Sequence, residues 1–261
     1  MDLKKLQNKL RGFGMVSIMV LASIVFSSYG YNSNFTFVNS SYTSDEILES
    51  SNPFKFNLEP SSTFTPKLNA YDSLDLGTKG LNFDAFRYAL QGMQKMLNMG
   101  IVFNSNIVTI ADFSQPSYNK RLYVVDLDNY QVLFNTYVSH GINSGQEIPK
   151  KFSNKFSSNQ SSLGFYLTKG TYNGKHGYSL QLEGLEEGIN DNAFRRSIVI
   201  HGANYVNERM ISSVGYIGRS QGCPAVSIKE SKKIISTIKD GTCLFIYSPL
   251  SSYLKQSGLL N

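Results

Sequence analysis

Only two cysteines and three histidines occur in the 261 residues, so any nucleophilic or metal chemistry rests on few side chains. Cys223 lies in the run Gly218-Arg219-Ser220-Gln221-Gly222-Cys223-Pro224-Ala225. A glycine before the cysteine and a proline after it are turn residues, not strand interior. A turn presents the thiol outward, and a glycine lets successive backbone N–H groups converge on one point, as an oxyanion hole requires. A cysteine so placed becomes a nucleophile when a base stands beside it. His201 is the candidate base: it follows the apolar run Ser197-Ile198-Val199-Ile200 and precedes Gly202, where a side chain leaves a strand end for a cleft. The pair is 22 positions apart in the chain, so only folding brings it together. If the two side chains touch, a thiolate–imidazolium pair is favoured, because each charge stabilises the other.

Blander chemistry competes for the same residues. Cys223 and Cys243 are a possible disulfide in an exported chain. Against this, Cys243 falls in Thr242-Cys243-Leu244-Phe245-Ile246-Tyr247, which reads as a core strand holding a small buried cysteine. Three histidines and a cysteine also raise the question of zinc. No Cys-x-x-Cys or His-x-x-x-His spacing is present, so neither a metal nor another cofactor is expected. His140 and His176, each followed by glycine like His201, are candidates for lining the cleft or for capping strand ends. Asp126, Asp128 and Glu183 to Glu187 read as turn and surface charges, and the Ser/Asn-rich run 153–162 as a mobile loop.

The elements that must position these residues are mostly strands. Val108–Asp112, Leu122–Asp126, Val132–Val138, Leu163–Leu167, Tyr178–Leu182, Ser197–Ile200 and Thr242–Tyr247 are short β-branched and aromatic runs separated by turn residues. Leu122–Asp126 and Val132–Val138 flank Asp128-Asn129 as a hairpin. Before them, Phe83, Phe86, Leu90, Met93 and Leu97 recur at three- and four-residue steps, predicting a helix over Asn82–Met99 that stops at Gly100. Ser227 with Glu230 makes a capping box for a late helix carrying Ile228, Ile234, Ile235 and Ile238. The fold class is mainly β (α+β), with one lead-in helix and one late helix.

The N-terminus reads as an export signal over 1–30. Lys4, Lys5, Lys9 and Arg11 precede the apolar run Met15–Phe26, and Ser28 and Gly30 suit a cut after Gly30. The apolar run is short of the roughly 20 residues that span a bilayer, so a membrane anchor follows only if the signal stays uncleaved. Residues 31–77 read as a flexible Ser/Asn/Pro-rich spacer, 78–250 as the folded domain that carries the candidate residues and 251–261 as a C-terminal tail. The net charge of +6 suits an anionic polymer. The basic residues are scattered and no nucleic-acid-binding motif is present, which excludes nucleic acid as the expected partner.

The stretch Arg196–Val206, followed by Gly218–Ala225, resembles the catalytic region of the L,D-transpeptidase (YkuD-like) superfamily, in the branch of murein L,D-transpeptidase catalytic domains. Val138–Gly145, Phe152–Asn154, Ser161–Tyr166 and Gly174–Tyr178 add to the resemblance, which spans about residues 78–250 with its motifs in order. It implies a β-rich domain and a ping-pong acyl transfer on peptidoglycan stem tetrapeptides. Cys223 would be the nucleophile and His201 the base. Ser220 would be the Ser/Thr that precedes the cysteine by three, and the Gly222 and Cys223 N–H groups would form the oxyanion hole, with Gly202 in support. Arg219, Gln221, His140, His176 and Tyr166 are the candidates for substrate contact. An amine acceptor would give 3→3 cross-links, and water would make the enzyme an L,D-carboxypeptidase. Such an activity belongs in the periplasm or cell envelope. The chain departs from the wider family at Gln221, where histidine is usual, and at Ala225, where arginine or asparagine is common. A wall-binding module without chemistry is the reading from another class.

Overall fold

The computed structural model describes residues 67–261. The expected export signal and the expected spacer as far as residue 66 lie outside the described residues. Residues 67–77, read above as the end of the spacer, already belong to the packed unit. They carry the short helix α1 (Ala70–Ser73), and Ala70 and Leu76 are fully buried.

Helix α2 (Phe83–Asn98) forms where its apolar stripe predicts. Asn82 caps it, its side-chain oxygen accepting from the Asp84 and Ala85 N–H groups, which satisfies donors that have no partner within the helix. Phe86, Ala89, Leu90 and Met93 face inward. They pack against β1 (Ile107–Asp112) and β8 (Cys243–Tyr247), two neighbouring parallel strands.

Eight strands form one sheet in the order β3-β2-β1-β8-β4-β5-β6-β7. The predicted hairpin is β2 (Leu122–Asp126) with β3 (Gln131–Thr136). The next hairpin, β4 (Gly164–Gly174) with β5 (Gly177–Gly184), extends beyond its apolar runs and carries Lys175 and His176 at its tip. Then follow β6 (Val199–Ala203), α3 (Glu208–Val214), β7 (Ala225–Ser227), α4 (Ile228–Ile238), β8 and α5 (Ser251–Gln256). Among the described residues no helix is long and apolar enough to cross a membrane.

Three local expectations need correction. The Ser227 hydroxyl does not cap α4. It donates to the Glu230 carboxylate at 2.8 Å, and Thr136 donates to the same oxygen at 2.7 Å. Residues 251–261 are not a loose tail: α5 buries Tyr253, and Leu259 and Leu260 join the core. Glu186 is not a surface charge. It is buried, accepting from the Phe165 N–H at 2.8 Å and from the hydroxyls of Tyr253 and Ser257, so it ties α5 to the sheet. Burial raises its pKa despite those donors.

Candidate active site

Parallel pairing places His201 of β6 opposite Ala225 of β7. Cys223, two residues before Ala225, therefore reaches the same cleft as the histidine through strand register. Side chains alternate across a sheet, and here the alternation selects the face. Gly202 lies under α4, where an added Cβ would sit 2.7 Å from Ser231 Oγ, so glycine lets the helix approach. His201, its neighbour, points to the other face, where it lines a cleft of about 930 Å³ together with Cys223.

The turn that presents Cys223 is braced from several sides. The Ser220 N–H donates to the His140 carbonyl at 2.9 Å, and the Ile142 N–H donates to the Ser220 carbonyl at 2.8 Å. The Ser220 hydroxyl accepts from the Gly222 N–H at 3.0 Å and donates to the Cys223 carbonyl at 2.6 Å. Ser161 donates to the Gly222 carbonyl at 3.1 Å. Gly222 has φ of +127°, and a Cβ there would meet the Gln160 carbonyl oxygen at 2.8 Å, so both its backbone conformation and its surroundings demand glycine. Because the Gly222 N–H is bonded to Ser220, it is not aimed into the cleft as an oxyanion donor in this arrangement.

Both cysteines are free thiols. Cys243 is fully buried in β8 with its sulfur 3.7 Å from Met96 Sδ, and burial pushes its pKa up. Cys223 is part-exposed. Its thiol donates to the Ser197 carbonyl at 3.7 Å, and not to the imidazole. Ser197 adopts φ of +57°, a strained conformation for a non-glycine residue. Burial raises the Cys223 thiol pKa; the Val199 N–H and the Arg196 charge pull it down.

His201 is 2% exposed, and its Nδ1 lies 3.0 Å from the Gly202 carbonyl. Donation from Nδ1–H to that carbonyl fixes the tautomer and leaves Nε2 as the basic nitrogen. The His176 ring stacks on His201 at 4.3 Å between centroids, with planes 23° apart. Burial lowers the His201 pKa, the Gly202 carbonyl opposes this and His176 adds to it.

Of the candidates for substrate contact, His176, Arg219 and Gln221 line the cleft with His201, Ser220 and Cys223. His140 and Tyr166 do not. His140 is fully buried, with Nδ1 2.7 Å from an Arg121 nitrogen, Nε2 3.2 Å from the Gly145 carbonyl, and its ring edge-on to Phe113. Burial, then Arg121, push it down to about 3. Tyr166 is fully buried, donating to the Ser162 carbonyl at 3.0 Å. Arg219 donates to the Ile142 and Gly145 carbonyls at 3.4 and 3.1 Å, so it also holds the cleft rim together.

Sequence reasoning missed Arg195, Arg196, Lys175, Tyr172 and Tyr205, all of which line the cleft. The paired arginines just before the histidine strand were the available signal. Three arginines and a lysine face the cleft and no carboxylate does, so it favours anionic ligands. Run 153–162 is fastened by hydrogen bonds from Arg196 and from Asn143. Among the described residues no group of acidic, histidine and cysteine side chains fits a metal ion.

The chain is similar to solved structures of an L,D-transpeptidase from Mycobacterium smegmatis (13% identity, 55% of this chain and 59% of that one, TM-score 0.34) and an L,D-transpeptidase from Stackebrandtia nassauensis (15%, 63% and 66%, 0.33). It is also similar to L,D-transpeptidase 3 from Mycobacterium tuberculosis (12%, 55% and 61%, 0.32). It thus spans about three fifths of the length of the first of these, 59%. No curated protein matches the sequence. The model of the L,D-transpeptidase catalytic domain matches residues 77–247, well over half of the chain and all of the cleft just described, and the chain belongs to that family.

Proposed function

We propose that Cys223 and His201 carry out a two-step acyl transfer on peptidoglycan stem peptides outside the cytoplasm. The observation that supports this best is one cleft holding a part-exposed free thiol, an imidazole oriented through Nδ1, and a cationic wall. Stem peptides carry several carboxylates, which the wall suits.

In the first step His201 Nε2 takes the thiol proton and Sγ attacks the carbonyl carbon of the third stem residue, meso-diaminopimelate. The bond to the terminal D-Ala nitrogen breaks, and His201 returns the proton to the departing amine, leaving a thioester. In this reading the Cys223 N–H donates to the developing oxyanion. The Gly222 N–H joins it on releasing Ser220 Oγ, and a pair of such donors lowers the barrier by several kcal/mol, of the order of 3. In the second step the side-chain amine of another stem attacks the thioester. The C–S bond breaks, His201 accepts the amine proton, and a 3→3 cross-link results. With water as the acceptor the same thioester gives a trimmed tripeptide. No step requires a metal or cofactor, since charge develops on oxygen and sulfur beside fixed N–H groups and cations. Arg219, Gln221 and His176 are placed to meet the stem.

The nucleophile is tested by treating the full chain with a carbapenem, whose strained lactam a thiolate opens, and reading the intact mass. One adduct per chain is expected, located on Cys223 and lost in Cys223→Ala. A folded protein with a titratable thiol that forms no adduct and no product from muropeptide would point instead to a wall-binding module.

A further inference from the structure

Arg196 is a half-buried cation with no anion beside it. Its Nη1 donates to the Ser153 carbonyl at 2.7 Å and to Ser162 Oγ at 2.6 Å; Nη2 donates to Ser158 Oγ at 3.1 Å and to the Gln160 carbonyl at 2.8 Å. All four acceptors are neutral. Its Nε is buried without a hydrogen-bond partner, and among the described residues no ion pair includes it. Taking a guanidinium out of water without a counter-charge is costly, so this arrangement calls for a negative charge arriving from elsewhere.

The thiol is the group placed to supply it. Nη2 lies 3.5 Å from the point where a Gly222 Cβ would sit, directly before Cys223. The thiol itself bonds to the carbonyl of Ser197, the residue after Arg196. The cleft lining contains no carboxylate that competes for the guanidinium.

We infer that Arg196 is the counter-cation of the thiolate that forms on Cys223, while His201 carries the proton from Sγ to the leaving amine. The inference rests on the reading of Cys223 as the nucleophile. Arg196 is then a positioning residue: its charge steadies Sγ, and its four hydrogen bonds hold run 153–162 against the turn that presents Cys223. The opposed effects on the two groups agree with this. Burial raises the Cys223 pKa, and the Val199 N–H and then the Arg196 charge oppose it; burial lowers the Arg196 pKa, and Tyr166 and then Cys223 oppose that. The other titratable groups facing the cleft are Tyr172 from β4, Tyr205 from the loop after β6, Arg219 from the nucleophile loop, Arg195, and Lys175 at the hairpin tip; buried Tyr166 faces Arg196 from β4.

The test is the pH profile of Cys223 alkylation by iodoacetamide in the full chain, followed by mass spectrometry of the Cys223 peptide. Arg196→Gln is expected to move the midpoint to higher pH, slowing alkylation at neutral pH by about tenfold, the change in thiolate that one pK unit represents. The high-pH plateau stays that of the wild type. Arg196→Lys keeps the midpoint, and His201→Gln shifts it less than Arg196→Gln does. A purely structural role for Arg196 would alter the plateau and leave the midpoint in place. A folded Arg196→Gln protein with the wild-type midpoint overturns the inference, as does a larger shift in His201→Gln. If Arg196→Gln does not fold, His201→Gln decides alone: a tenfold slowing at neutral pH overturns the inference, and an unmoved midpoint supports it. Wild-type turnover on muropeptide reports separately on whether Cys223 is a nucleophile at all.

Discussion

The His140 ring and Cys243 are closed off from solvent, one against Arg121 and Phe113 and the other within β8; His201 and Cys223 line a cleft. Both histidines precede a glycine, and both cysteines lie in or just before a strand. The difference lies in where their polar capacity goes. Both ring nitrogens of His140 are engaged, one with Arg121 and one with the Gly145 carbonyl, so the ring has nothing left to offer a substrate. His201 commits one nitrogen to Gly202 and turns the other toward the cleft. Cys243 sulfur is buried in the core 3.7 Å from Met96 sulfur, whereas the Cys223 thiol feels the Val199 N–H and the Arg196 guanidinium. A residue type becomes chemistry when the surrounding chain leaves part of its bonding capacity unused and supplies a charge that its reactive form needs.

This contrast predicts reciprocal effects of substitution. Cys223→Ala has the largest: acyl transfer falls to background while the thermal unfolding midpoint stays within a few degrees of wild type, because the part-exposed sulfur contributes little packing. Melting curves run beside activity assays check this, and a collapse in stability would move Cys223 to the structural side. His140→Ala does the opposite. It leaves Arg121 without its ring partner and opens a cavity, costing about 2–4 kcal/mol, with residual activity in the protein that remains folded.

A pH experiment sharpens the same comparison. His140 is held at about 3 in the folded chain against an ordinary 6.5, so on acidification the unfolded chain takes the proton first. Its contribution is whole above about pH 6.5 and is lost as pH falls toward 3, with a slope of at most about 1.4 kcal/mol per pH unit. Urea titrations across that window should show a shallower slope in His140→Gln than in wild type. Equal slopes would mean the ring is not buried neutral. Cys243→Ala has the smallest expected effect, a loss of about 1–2 kcal/mol from the vacated sulfur volume, read as a lower urea midpoint with the specific activity of folded protein retained.

Much of this was legible in the residue order, and the boundary between legible and hidden is physical. Helix α2 announced itself because burial of one face imposes a period that a single segment displays, and the strands did so as short β-branched and aromatic runs, several of them buried along nearly their whole length. The turn at Gly222-Cys223-Pro224 was equally local. Three-residue β7 carries too little pattern to detect, and α3 and α5 are barely longer. His140 and Tyr166 were misjudged because their burial depends on partners such as Arg121 and on the packing of distant strands, which a dipeptide does not encode. Arg196 was passed over for the same reason: its acceptors lie 34 to 43 positions upstream, and only the folded chain lays them around the guanidinium. Glu186 likewise depends on Ser257, 71 positions away.

The central claim is that Cys223 and His201 transfer an acyl group between stem peptides. Its most direct test is incubation of the full chain with a disaccharide-tetrapeptide muropeptide, with Cys223→Ala and His201→Ala alongside, followed by mass spectrometry of the products. The account predicts a 3→3 cross-linked dimer or a trimmed tripeptide, formed by wild type and absent with either variant. Product that persists in Cys223→Ala, or none from folded wild type whose thiol is free, would contradict it.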